Sequence, residues 1–107
     1  MVALGQEIVD KIVRRVCSAT NPRQIMLFGS AATGAMTADS DIDLLVIEDA
    51  PGDVREESLR IRQALRGLGY PFDIIVMSRE RFEETRGVTG GIAYPADKYG
   101  KVIYEAS

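Results

Sequence analysis

Two aspartates separated by one residue, Asp41 and Asp43, follow a loop of small residues that begins with Gly29 and Ser30. Side chains at positions i and i+2 of a β-strand point to the same side, so a strand starting here would place both carboxylates together. Like charges repel at this spacing unless a divalent cation lies between them, and oxygen ligands suit Mg²⁺. On its own this spacing is common and favours a polar start of a strand, with a metal site as the alternative; a third carboxylate changes that balance.

A third carboxylate, Asp73, is the one charged residue in the apolar stretch "PFDIIVM". A carboxylate in a buried strand is costly unless it lies at an exposed strand end or is paired with a cation. If the strands that start at Asp41 and Asp73 are neighbours, three carboxylates converge. Three such groups could hold two Mg²⁺ ions and leave one oxygen to accept a proton from an attacking hydroxyl.

The loop "GSAATG" could provide the complementary half of such a site. Gly29 and Ser30 allow a tight turn after the apolar run before them, and the small residues that follow can begin a helix whose N–H groups face a phosphate. Ser30 adds a hydroxyl donor. The loop is neither a Walker A motif nor a G-x-G-x-x-G motif. An ordinary turn from strand to helix is the alternative interpretation.

The composition narrows the possible chemistry. The chain has 107 residues, which predicts a single domain over 1–107. It has no histidine and one cysteine, Cys17, which excludes disulfides, Cys–His zinc sites and Ser–His–Asp triads. A formal charge of -3 disfavours autonomous nucleic-acid binding. No signal peptide or apolar run of roughly 18 to 20 residues is present, so we expect no membrane association and a cytoplasmic location.

Periodicity predicts an α/β or α+β domain whose elements would position these residues. In chain order they are a helix over 3–19, strands over 24–28 and 42–47, a helix from 53 to 67 or 69, a strand over 71–77, short helices over 78–86 and 95–100, and a strand over 101–105. The buried face of the second long helix should consist of Val54, Ile61, Leu65 and Leu68. We interpret its charged residues as a solvated face, with Glu56 and Arg60 at ion-pair spacing.

The segments "GSAATG", "SDIDLLV" and "FDIIV" together resemble the minimal nucleotidyltransferase (MNT) family of the DNA polymerase beta superfamily. The resemblance covers nearly the whole chain, and the tail "GGIAYPADKYGKVIYE" is also similar. It implies a polymerase-beta-like nucleotidyltransferase fold, a mixed β-sheet flanked by helices. Loops of the family often carry Arg or Lys at the positions of Ala31 and Thr33, so this chain departs from the pattern there.

The resemblance also implies roles for the residues. Gly29 and Ser30 would bind the nucleoside triphosphate. Asp41 and Asp43 would bind two Mg²⁺ ions, with Asp73 as third metal ligand or general base. The implied reaction transfers AMP from ATP to a hydroxyl.

Many free-standing members of the family are paired with a HEPN-domain toxin and neutralise it, in characterised pairs by adenylylating a tyrosine. We therefore expect an antitoxin of a type VII-like toxin–antitoxin system that forms a hetero-oligomer with its toxin. Two alternatives stay open at this point. The chain could neutralise its toxin by contact alone, as a non-catalytic binding module, or it could be a small-molecule nucleotidyltransferase.

Overall fold

The computed structural model describes residues 5–29, 41–85 and 100–106. The loop residues Ser30, Ala31 and Thr33 and the short helix predicted over 95–100 lie outside these ranges, except for Gly100. The predictions made for them therefore stay predictions.

Four strands form one sheet. They are β1 (Gln24–Phe28), β2 (Ile42–Glu48), β3 (Phe72–Ser78) and β4 (Lys101–Glu105), in the spatial order β3-β2-β1-β4. β1 is antiparallel to both of its neighbours, whereas β2 and β3 are parallel. A parallel pair needs a crossover connection, and a helix between β2 and β3 in the chain provides it. The sheet is therefore mixed, as predicted, and the domain has the predicted α+β class.

Three helices accompany the sheet in the described part of the chain: α1 (Gln6–Ala19), α2 (Val54–Ala64) and α3 (Arg79–Thr85). α1 ends at Ala19, with Thr20 as its C-cap, shortly before Pro22, as the sequence indicates. Asp53 caps α2, because its carboxylate accepts the backbone N–H groups of Arg55 and Glu56 at 3.0 and 3.4 Å. None of the described helices has the length and apolar character needed to span a membrane.

Both faces of the sheet are buried in the middle of β2. Even-numbered residues of β2 and β3 face α1 and α2, where they form the larger core around Ile12, Val16 and Ile61. Odd-numbered residues face the other side and pack with Phe82 of α3 in a smaller core. Because side chains alternate along a strand, Asp43 and Asp73 lie on this second side, at the ends where β2 and β3 begin.

Three details of the α2 prediction are wrong. The helix ends at Ala64 instead of continuing to Gly67 or Gly69. Val54 belongs to the first turn and is 44% exposed, so it does not contribute to the buried face. Arg60 pairs with Glu57 at 3.3 Å, and the side chain of Glu57 is only 14% exposed. Glu57 precedes the buried Ile61 by four residues, which places it on the core-facing side of the helix.

Candidate active site

Asp43 and Asp73 lie side by side on neighbouring strands. They are register partners in the parallel pair of β2 and β3, one residue after the start of each strand. On the other side of β2, Asp43 is paired with Phe28, the last residue of β1. The condition that the two strands are neighbours is therefore met, and the sheet brings these two carboxylates together where both strands begin.

Asp41 lies one residue before β2 and is exposed, so the strand begins one residue later than the paired-carboxylate prediction assumed. It is still close enough to influence the site. The pKa of Asp43 is raised above its ordinary value, mainly by burial and further by the negative charges of Asp73 and Asp41. Like-charge repulsion among these three carboxylates is thus a property of the folded chain.

Gly29 joins the start of the small-residue loop to this carboxylate group. Its φ angle is +65°, in the left-handed region that side chains with a Cβ disfavour. A Cβ at this position would collide with Oδ2 of Asp43 and would lie 3.5 Å from its Cγ. Two independent constraints therefore require glycine here, and one of them is the closeness of the backbone to Asp43.

The donor set suits a hard divalent cation, because it consists of carboxylate oxygens without nitrogen or sulfur ligands. Within residues 5–29, 41–85 and 100–106, no group of three acidic, histidine or cysteine side chains is already arranged to hold a metal ion. Asp43 and Asp73 are brought together by the backbone register. Asp41 is exposed just before β2 and is the third carboxylate that such a site would need.

Two structural features, one beside the site and one at the other end of β2, were missed by the predictions from the sequence. Arg62 was assigned to a solvated face, yet its Nη1 donates to the Phe72 carbonyl at 3.1 Å, next to Asp73. No sequence pattern signals such a contact between a side chain and a strand edge.

The second missed feature is a buried carboxyl pair, Glu48 and Glu57, at the other end of β2. Glu48 is 5% exposed, and each residue has a buried Oε2 without a hydrogen-bond partner. Alternation along β2 could have revealed it, since Glu48 continues the helix-facing series after Val46.

Three clefts lined by described residues lie away from the three aspartates. One is lined by Arg23, Arg79, Glu83 and Glu105, at the edge of the sheet where β2 ends. Its lining carries both charge signs in equal number. The candidate site is therefore supported by register, close packing and electrostatics, and not by the shape of a cavity among these residues.

Comparison with known proteins agrees with this fold. Three solved structures resemble the chain over 92% of its length. One is a protein from Sulfolobus solfataricus assigned as a nucleotidyltransferase, with a TM-score of 0.63, 22% identity and 78% of its own chain covered. The second is the toxin–antitoxin MntA-HpeT carrying two Asp-to-Glu substitutions, with a TM-score of 0.69, 18% identity and 74% covered. The third is a toxin–antitoxin with AMP-PNP, with a TM-score of 0.66, 20% identity and 74% covered.

At these identities the structural likeness establishes the fold. No curated protein matches the sequence. Residues 9–94 match the family described as "Nucleotidyltransferase domain", a stretch that contains the small-residue loop and all three aspartates. The resemblance drawn from the sequence motifs is thereby confirmed, and the chain belongs to the nucleotidyltransferase domain family.

Proposed function

We propose that this protein transfers AMP from ATP to a hydroxyl group of a partner protein. The observation that carries the proposal is the register pairing of Asp43 with Asp73, with Gly29 packed against the Asp43 carboxylate. This arrangement joins the start of a phosphate-binding type of loop to a carboxylate pair. Such a combination serves phosphoryl-type transfer, where positioning and charge neutralisation provide most of the catalysis.

Each site residue has a proposed role. Asp41 and Asp43 hold the metal, Asp73 is the third ligand or the general base, and Gly29 and Ser30 contact the triphosphate. Two bound Mg²⁺ ions would neutralise charge on the α-phosphate and on the departing pyrophosphate. The raised pKa of Asp43 supports this assignment, because a bound cation would relieve the repulsion from its neighbours.

The proposed reaction balances without any further reactant. The acceptor oxygen attacks the α-phosphorus of ATP, a new P–O bond forms, and the bond from the α-phosphorus to the β-phosphate oxygen breaks. Pyrophosphate leaves with the electron pair of that bond. The acceptor's proton passes to a carboxylate oxygen, for which Asp73 is our candidate, since it is exposed beside the half-buried Asp43.

We infer that the acceptor is a tyrosine of a HEPN-domain toxin, and that the protein acts as the antitoxin in a cytoplasmic hetero-oligomer. The sequence resemblance motivates this inference. It is supported by two similar structures that are toxin–antitoxins, one of them with AMP-PNP. The net charge of -3 agrees with a protein partner in preference to nucleic acid.

Labelled ATP tests the proposal. The protein is incubated with α-labelled ATP, Mg²⁺ and the product of its neighbouring gene, which we propose to be a HEPN-domain toxin. We expect label on the partner with the wild type and with the control Asp49→Asn, which alters an exposed carboxylate at the far end of β2. The double variant Asp41→Asn, Asp43→Asn should transfer at least ~100-fold less.

The other outcomes separate the alternatives. If no label transfers and the double variant still neutralises the toxin, the protein acts by contact. Label on a small hydroxyl compound, with none on the protein, would identify a small-molecule nucleotidyltransferase. Urea unfolding of the double variant serves as a folding control, because isosteric amides remove repulsion without changing the packing.

A further inference from the structure

The beginning of β3 is held from outside the sheet by an arginine of α2. Ile42 donates its backbone N–H to the Pro71 carbonyl at 2.9 Å, which joins β2 to the chain just before β3. Successive carbonyls along a strand point to opposite sides, so the next one, of Phe72, points away from β2. β3 is an edge strand of the described sheet, and Nη1 of Arg62 donates to this outward carbonyl at 3.1 Å.

The helix end that carries Arg62 is itself anchored. Arg62 is the basic residue in the last turn of α2, where a cation also interacts favourably with the helix dipole. Beyond that turn, Nη1 of Arg15 in α1 donates to the carbonyls of Ala64 at 3.3 Å and Arg66 at 2.7 Å. The end of α2 that carries Arg62 is therefore fixed to α1. This anchoring defines the position from which the Arg62 side chain extends to the Phe72 carbonyl.

We propose that Arg62 is a positioning residue that fixes the first residues of β3 and thereby holds Asp73 beside Asp43. The contact is one peptide unit from Asp73, because the Phe72 carbonyl belongs to the peptide bond that enters Asp73. Like-charge repulsion between the two carboxylates acts to separate the starts of β2 and β3, and the hydrogen bond from Arg62 opposes that movement. The part of this inference that concerns metal binding rests on the proposed function above.

An arginine suits this role better than other side chains would. An exposed carbonyl at a sheet edge can also accept a hydrogen bond from water, so a neutral side-chain donor adds little stability. A guanidinium makes a stronger, charge-assisted hydrogen bond with a fixed donor geometry. Lysine keeps the charge but loses the planar fork, so we expect Arg62→Lys to retain part of the effect and Arg62→Gln to lose it.

Amide hydrogen exchange tests the positioning role directly. In ¹⁵N-labelled protein, the Ile42 amide reports whether the start of β3 stays in place, and the Val46 amide reports the centre of β2. We expect Arg62→Gln to speed Ile42 exchange about three- to tenfold, with Arg62→Lys intermediate and Val46 unchanged. Arg66→Gln, an exposed position in the turn after α2, is the matched control and should match the wild type.

Calorimetric titration with Mn²⁺ tests the consequence for the site. We expect Arg62→Gln to weaken Mn²⁺ binding about three- to tenfold, Arg62→Lys to recover part of the loss, and Arg66→Gln to bind like the wild type. If Arg62→Gln leaves the exchange rate of the Ile42 amide unchanged, the proposal is overturned. It is also overturned if the Ile42 and Val46 amides both exchange faster, because that result indicates general destabilisation. If the wild type binds no Mn²⁺ while Ile42 exchange still depends on Arg62, the positioning role stands and the proposed metal role is refuted.

Discussion

Gly29→Ala offers a quantitative test of how closely the backbone at Gly29 approaches the Asp43 carboxylate of the candidate active site. Gly29 and Gly52 have nearly the same φ angles, +65° and +68°. A Cβ at Gly52 would meet nothing within 4 Å, whereas one at Gly29 would collide with the Asp43 carboxylate. Both substitutions therefore place an alanine in the left-handed region, and only Gly29→Ala also creates a clash with Asp43. This makes Gly52→Ala the matched control.

The expected free energies follow from this difference. Placing alanine in the left-handed region costs about 1 kcal/mol at either position. At position 29 the Asp43 side chain must also leave its preferred rotamer, which adds about 1 kcal/mol. We therefore expect Gly52→Ala to lower the free energy of unfolding by about 1 kcal/mol and Gly29→Ala by about 2 kcal/mol.

Urea unfolding of four proteins measures the contact itself. Combining Gly29→Ala with Asp43→Ala removes the carboxylate that the new Cβ would strike, so the two changes should couple by about 1 kcal/mol in a double-mutant cycle. If Gly29→Ala and Gly52→Ala lower the free energy of unfolding equally, and Gly29→Ala shows no coupling to Asp43→Ala, then the backbone at Gly29 does not contact the Asp43 carboxylate. That result would refute the argument that joins Gly29 to the site.

Two further predictions concern the other end of β2 and the start of α2. Burial raises the pKa of Glu48, helped by the nearby Glu57, so the folded state binds this proton more tightly than the unfolded chain does. The free energy of unfolding should therefore be greatest below the ordinary pKa of a glutamate and fall as pH rises through the raised pKa of Glu48. Glu48→Gln should reduce this fall and be about 1 kcal/mol more stable than the wild type at pH 8. Urea unfolding at pH 5 and pH 8, with the exposed Glu56→Gln as control, measures both effects. Asp53→Ala should lower the free energy of unfolding by about 1 kcal/mol through loss of the helix cap, whereas Asp53→Asn keeps an acceptor and should lose much less; equal losses would contradict the capping role.

The local parts of the fold could be predicted because each rests on a short-range pattern. The apolar run that forms β1 has the predicted bounds, Gln24–Phe28, and Asp53 caps α2 through neighbouring N–H groups. The register that places Asp43 beside Asp73 could only be stated as a condition, since it depends on which strands pair and in which direction.

Errors in α2 arose where several charged residues stand together, because a shift of one position changes the face on which each lies. Glu57, and not Glu56, proved to be the partner of Arg60. The contact of Arg62 with the Phe72 carbonyl could not be predicted from side-chain patterns, since its acceptor is backbone exposed by the sheet order.

The two ends of β2 show why the carboxylates at only one of them suit a cation. At the far end, Glu48 is almost fully buried, and its neighbour Glu57 is paired with Arg60, so positive charge is already supplied by the protein. A proton between the two buried carboxyl groups would satisfy both of their unpartnered oxygens. At the near end, Asp43 is half-buried, and the exposed Asp41 and Asp73 add like-charge repulsion. Among the described residues, no ion pair with an arginine or lysine offsets this repulsion. Solvent accessibility and uncompensated negative charge thus coincide where the loop begins. A divalent ion carrying a triphosphate would therefore bind most favourably at this end of β2.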